Sequence, residues 1–268
     1  MKQENKRQNG EFQEIKNKLE YENFMILQNS FIFDLCILPN DCILATTHDS
    51  LRIYNENFQE IMKKEFYQGY ANGCELSPKK FKIYISNHHD GCIDVYDLSI
   101  NKQNSIGSEG KGNKQFYGIG QITCYKSYLY VCDQLNRRIQ VLEIKGNEDE
   151  ILEFIDSIPL DDIPYTIKIS KGIVGVCCNG GTYFYDLETK KLLIEFSSFY
   201  GCMNLINSIF VVTQSTFLMK YEDQRGKILI VDFERNNFIK TEIIKVSKIK
   251  RNVKKILNYK TEILVIFG

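Results

Sequence analysis

The sequence predicts an all-β fold, a β-propeller of six blades, five full and the sixth incomplete, each blade a four-stranded antiparallel sheet. Two observations predict it. The first is a set of apolar–polar pairs at near-constant spacing: Tyr54-Asn55, Tyr96-Asp97, Leu142-Glu143, Tyr185-Asp186 and Val231-Asp232. Their first members lie 42, 46, 43 and 46 residues apart, a strand-built period in the range of propeller blades. The second is a hairpin signal that precedes each pair: two short apolar runs joined by turn residues. The strand before each pair alternates with period two, as in Ile93/Val95, Ile139/Val141 and Ile228/Ile230, the pattern of a half-covered strand.

Each blade reads as strands a, b, c and d, from innermost to rim. In blade one, residues 35–38 turn at Pro39-Asn40-Asp41 into 43–46, with Leu51 and Ile53 in strand c and 58–66 at the rim. Blade two turns at Ser77-Pro78-Lys79 between 73–76 and 83–86. Blade three turns at Lys126-Ser127 between 122–125 and 129–132, with 151–155 as rim strand. Blade four turns at Lys171-Gly172 between 167–169 and 173–177, with 192–196 at the rim. Blade five turns at Asn207-Ser208 between 203–206 and 209–213, with 238–244 at the rim. Its strands b and c stand about nine residues farther apart than in other blades, which predicts a protruding loop at 214–226. The sixth blade has 256–259 and 263–267, and its strand c would fall beyond Gly268. Either residues 18–27 return to complete it or the chain is truncated. A ring closed by its N-terminal segment would remove open sheet edges. Residues 1–17 carry no repeat and are expected to be a flexible or short helical tail, leaving 18–268 as the propeller.

Composition narrows the function. Lys+Arg and Asp+Glu both number 34, so the net charge is zero, and the basic surplus of a phosphate-backbone binder is missing. DNA is not an expected partner. No apolar run reaches the ~18 residues of a membrane span, and the polar N-terminus lacks the apolar core of a signal peptide. The expected location is the cytoplasm. The nine cysteines include no C-x-x-C pair. They read as buried thiols of a reducing compartment. Signatures such as G-x-S-x-G, Walker A and H-E-x-x-H do not occur, so neither catalysis nor a cofactor is expected.

Blade three carries Gly107-Ser108-Glu109-Gly110, then Gly118-Ile119-Gly120-Gln121-Ile122, then an apolar strand ending in Asp133. Asn136, Arg138, Ile139, Gln140 and Val141 follow. This stretch resembles an NHL repeat. Blades two and four, through Asp90-Gly91-Cys92-Ile93-Asp94-Val95-Tyr96-Asp97 and Gly181-Thr182-Tyr183-Phe184-Tyr185-Asp186, look more like degenerate WD repeats. They have Tyr-Asp where that family has Trp-Asp, and no Gly-His pair precedes them. The NHL resemblance implies a six-bladed ring that binds proteins or RNA. Such rings often sit beside the RING and B-box modules of tripartite-motif ubiquitin ligases, whose zinc ligands are absent from this sequence.

The b–c loops of successive blades are expected on one face. They hold His48-Asp49, His88-His89-Asp90, Asp133 with Asn136-Arg137-Arg138, and Asn179-Gly180. The leading expectation is a non-catalytic scaffold that binds a protein partner through this face. His48, His88, Asp90, Asn136, Arg137 and Arg138 are the expected contacts, since an Arg fork suits carboxylate and phosphate. The structural alternative is ordinary polar turns, with Arg138 pairing to a neighbouring blade's acid. A second function reading is RNA binding, through this face or a strip of Lys245, Lys248, Lys250, Arg251, Lys254 and Lys255. Aromatic residues for base stacking are not interleaved there, and a solvated rim explains the same charges. A third reading is a metal-dependent hydrolase using the central channel, although a set of carboxylate and Asn ligands cannot be assembled from this sequence; the histidines and aspartates of blades one and two are a separate candidate metal cluster. The acidic run from Glu148 to Asp162 reads as a solvated rim.

Overall fold

The computed structural model describes residues 13–17, 25–26, 32–65, 71–79, 81–146, 149–197, 199, 201–214, 227–234, 237–245, 253–259 and 262–267. Apart from a helical turn at 13–17, the regular elements are strands. A short strand β1 (Met25–Ile26) comes first. Five four-stranded sheets follow in chain order. Blade one is β2 (Ile32–Ile37), β3 (Ile43–Thr47), β4 (Ser50–Tyr54) and β5 (Glu60–Glu65). Blade two is β6 (Ala71–Leu76), β7 (Ile83–Asn87), β8 (Cys92–Tyr96) and β9 (Lys102–Ile106). Two short parallel strands, β10 (Ser108–Glu109) and β11 (Gln115–Phe116), precede blade three. That blade is β12 (Ile119–Tyr125), β13 (Tyr128–Asp133), β14 (Arg138–Lys145) and β15 (Ile151–Pro159). Blade four is β16 (Pro164–Ser170), β17 (Ile173–Cys178), β18 (Gly181–Asp186) and β19 (Leu192–Ser197). Blade five is β20 (Gly201–Ile206), β21 (Ile209–Gln214), β22 (Lys227–Glu234) and β23 (Asn237–Lys245). A three-stranded sheet has β24 (Val253–Tyr259) beside β25 (Glu262–Phe267), with β1 on the far side of β25.

The repeated apolar–polar pair has two jobs. The aromatic member fills the core: Tyr54 and Tyr96 are 4% and 3% exposed. The polar member caps the c–d turn. Asn55 Oδ1 accepts the N–H groups of Asn57 and Gln59, both at 3.0 Å. Asp97 Oδ1 accepts those of Ser99 and Asn101, both at 2.9 Å, and Asp186 Oδ1 accepts that of Thr189 at 2.6 Å. Side-chain caps of this kind replace the ladder bonds a tight turn cannot make. Blades three and five differ from the sequence expectation. Their strands run past Glu143 and Asp232, to Lys145 and Glu234. In blade three Glu143 stays in the ladder opposite Glu153. Lys145 Nζ offsets the two like charges at 3.4 and 2.6 Å.

Each rim strand carries one extra residue opposite strand c: Ile61, Gln103, Ile155, Leu193 and Ile239. A bulge bends an edge strand away from further pairing. The rim strand of blade two, β9, is polar along most of its length and exposed, which is why hydrophobic pattern does not reveal it. The loop expected at 214–226 falls almost entirely outside the described residues.

The chain divides into two compact units. The first comprises Asn29–Ile169 with Val176–Gly180; the second comprises Met1–Gln28, Ser170–Gly175 and Gly181–Gly268. In the first, Leu44, Leu51, Ile53, Ile83, Ile85 and Tyr96 form one apolar cluster. Tyr84, Ile93, Phe116, Ile122, Val131 and Leu142 belong to another. Burying each such side chain stabilises by roughly 1.5–3 kcal/mol. Asp34, fully buried, accepts the Leu35 N–H at 2.9 Å and the Cys74 N–H at 3.2 Å, so it links β2 to β6. Next to it, a Cβ on Gly73 would lie 3.0 Å from the Gln121 Cα. Strands β6 and β12 therefore approach too closely for a side chain.

In the second unit Phe184, Phe210 and Phe233 pack with centroids 5.1 to 5.9 Å apart, and Phe196 meets Phe184 edge-on at 6.1 Å. Offset and edge-on contacts suit the ring quadrupole. Within the stretch 18–27, Met25 and Ile26 pair in parallel with Leu264 and Val265. In the helical turn Ile15 is buried, and Lys16 Nζ lies 2.5 Å from Glu242. Among the described residues no helix is long and apolar enough to cross a membrane.

Candidate functional site

The b–c turns of the first unit hold most of the residues singled out from sequence. In blade three, strand β13 ends at Asp133, which is fully buried. Its carboxylate accepts the Tyr117 N–H at 2.8 Å, the Asn136 amide at 2.9 Å, Arg138 Nε at 2.7 Å and the Gln140 amide at 3.0 Å. The same side chains reach on to the segment before the blade. Arg138 Nη2 donates to Gly112 O at 2.7 Å, Asn136 to Gly110 O at 2.8 Å and Gln140 to Gln115 O at 2.6 Å. The residues that carry the NHL resemblance thus hold segment 107–118 in place. A buried acid is tolerable only with such compensation. Asn136 and Arg138, expected as partner contacts, have their polar atoms turned to the chain's own backbone. The acid that Arg138 meets is Asp133 of its own blade, not the neighbouring blade's acid of the structural alternative.

Arg137 is different. It is exposed and adopts a φ of 50° at the last position of the turn. Its Nη1 donates to Asp161 O at 3.4 Å, and no carboxylate of the described residues forms an ion pair with it. The equivalent position in blade two is Gly91, with φ 59°.

In the blade-two turn, Asp90 is engaged locally. Its carboxylate accepts the Asn87 amide at 2.9 Å and lies 2.9 Å from His89 Nδ1. His88 is half-buried, with Nδ1 3.0 Å from both Ile119 O and the Asn72 amide nitrogen. Asn72 is the extra residue of a bulge in β6, and the bulge is what turns its side chain toward this turn. In blade one, hydrogen bonds from Thr47 and Ser50 hold the Asp49 carboxyl below its ordinary value. His48 is exposed at the tip of that turn.

Three large apolar side chains missed by the sequence reading lie on the same surface: Leu135, Tyr117 and Tyr165, at 53%, 44% and 38% exposure. The Leu135 N–H bonds Tyr117 O at 2.9 Å. A Cβ on Gly118 would lie 3.5 Å from both His88 Cε1 and Leu135 Cγ. One on Gly120 would lie 3.0 Å from Tyr165 O and 3.1 Å from Gln134 Nε2. His88 and Leu135 thus flank Gly118, Tyr117 is joined to Leu135 through the backbone, and the Tyr165 backbone lies beside Gly120, with Arg137 two residues beyond Leu135. His48 and Asp90 are outside this set. The one sequence signal was Leu135 itself, an apolar residue inside the polar turn Gln134-Leu135-Asn136-Arg137.

Lys168 and Glu75 pair at 3.3 Å between β16 and β6. Burial, with the nearby Glu75 charge second, pushes the Cys124 thiol up, and burial pushes Cys92 up to about 12. A thiol so shifted is a poor nucleophile. Among the described residues no three His, Cys, Asp or Glu side chains converge as metal ligands. Of the basic strip, Lys245 ends β23 and Lys254 and Lys255 lie in β24, while Lys248, Lys250 and Arg251 fall outside the described residues.

No family model matches this chain, and no curated protein is similar to it in sequence. Solved structures are similar in fold. The Cps50 (Swd1) β-propeller domain of Myceliophteria thermophila matches with a TM-score of 0.54 at 9% identity, over 81% of this chain and 72% of that one. The fold is a β-propeller. The hydrazine synthase of Kuenenia stuttgartiensis matches with a TM-score of 0.63 at 12% identity, over 88% of this chain and 73% of that one. The propeller likeness spans an enzyme as well as a domain named only for its fold, and a shared scaffold does not carry activity with it.

Proposed function

We propose that this propeller is a non-catalytic, cytoplasmic interaction module that binds a protein partner through the b–c turns of its first unit. The observation that carries the reading is the exposed pair Tyr117 and Leu135, joined through the backbone beside His88 and Arg137, with exposed Tyr165 on a strand next to Gly120. Clustered exposed apolar groups with a polar rim suit a protein interface. The committed thiols and ion pairs support a role without catalysis. In this reading the sheet of β24, β25 and β1 is the incomplete sixth blade.

The test is affinity capture from native lysate, with and without RNase, using wild type and Leu135→Asp. Leu135 is exposed, so the change should move stability by no more than roughly 0.5 kcal/mol. A partner retained after RNase by wild type and lost by the variant supports the reading. RNA recovered equally by both proteins, with no Leu135-dependent protein, counts against it.

A further inference from the structure

We infer that this face takes a partner segment in which an aspartate or glutamate stands beside an apolar side chain, with Arg137 holding the carboxylate. The inference rests on the interaction-module reading above and names the chemistry of its partner.

Arg137 and Arg138 are adjacent, yet their guanidinium groups are used differently. Arg138 is spent on Asp133 at 2.7 Å and on two backbone carbonyls at 2.7 and 3.2 Å. Arg137 has one contact, at 3.4 Å, to the Asp161 carbonyl. That distance is past the normal range of an N–H···O bond. Four or more of its five N–H donors are left to meet solvent or a ligand. Three acids of this face are already engaged, while exposed Asp161, whose carbonyl Arg137 meets, makes no ion pair with it. Asp133 is buried beneath Arg138. Asp162 accepts the Ile163 N–H at 2.7 Å and the Gly180 N–H at 2.5 Å, and Asp90 is held by Asn87 and His89. Arg137 thus has no carboxylate partner among the described residues, and a planar fork fits one in bidentate fashion.

The apolar half of the partner follows from Leu135, two residues earlier in the same turn and 53% exposed, with Tyr117 bonded directly behind it. A side chain laid on this shelf would bring the residue next to it within reach of Arg137. One uncommitted guanidinium is a poor match for a nucleic-acid backbone, which needs several cations in a row. A short acidic and apolar peptide segment matches both halves.

The experiment selects a displayed library of random linear peptides against the immobilised full chain and measures the selected peptides by fluorescence anisotropy. The expected peptides pair an acid with an aliphatic or aromatic neighbour. Arg137→Gln should weaken them about tenfold to a hundredfold, the worth of a charge-assisted bond, and Leu135→Asp should abolish binding. Arg137→Glu should prefer the peptide whose acid is replaced by lysine, which a merely structural role for Arg137 would not produce. Peptides that need Leu135 but ignore Arg137 overturn the inference and leave the interaction face standing. A selection that yields no Leu135-dependent peptide overturns both. Displacement of the peptides by single-stranded RNA, lost in Arg137→Gln, overturns it in favour of a nucleic-acid ligand.

Discussion

At the residue scale, Asp133 and its neighbours separate stability from recognition within one turn. Four residues donate to the buried carboxylate, and Arg138 is the one that brings a positive charge. Arg138→Met leaves a buried acid without that charge and should cost about 3–5 kcal/mol, read as a lower urea midpoint. Arg137→Gly should behave in the opposite way. It relieves a left-handed backbone that is strained by about 1–2 kcal/mol for a residue with a side chain. It also loosens the unfolded chain by about 0.4–1 kcal/mol. The first term is the larger, so the urea midpoint should hold or rise slightly. A large drop would place Arg137 in the scaffold. The sequence makes the two arginines look alike. What distinguishes them is the position of segment 107–118, a tertiary fact, and that is why both were expected to be partner contacts.

At the scale of the element, the c–d turns are the most legible part of the molecule. Tyr54-Asn55, Tyr96-Asp97 and Tyr185-Asp186 each pair an aromatic residue with a side-chain acceptor, and in each the acceptor caps a turn. The logic is local, so the sequence displays it. Leu142-Glu143 lacks the short acceptor side chain, and β14 runs on through the ladder. The interaction face is far less legible. Leu135 is one apolar residue in a loop, and only the fold brings Tyr117 and His88 beside it. The Asp186 cap gives a pH prediction. The Thr189 N–H, with its hydroxyl second, holds the Asp186 carboxyl below its ordinary value. A carboxyl with a lowered folded value stabilises above its unfolded value, near 3.9, and loses that contribution as pH falls through the folded one. Asp186→Asn keeps the acceptor oxygen and removes the titration. Its stability should therefore decline less steeply than wild type between about pH 4 and pH 2, measured by urea unfolding across that range.

At the scale of the whole molecule, the two units draw on the chain in different ways. The first is almost one continuous stretch, Asn29–Ile169. The second combines the first 28 residues with segments that begin at Ser170, and it pairs Met25 with Leu264. A pairing between residues so far apart requires a long loop to close, which slows its formation. Pulse-labelled hydrogen exchange during refolding should therefore protect the amides of β7, β8, β13 and β14 before those of β1 and β25. Simultaneous protection would contradict that order. The parallel pair of β1 and β25 also has a consequence for biosynthesis. A ribosome delivers residue 25 long before residue 264, so β1 waits for its neighbour while the five intervening blades are made. Until then its two residues are open to chaperones and proteases, and a translational pause between the two would prolong that exposure.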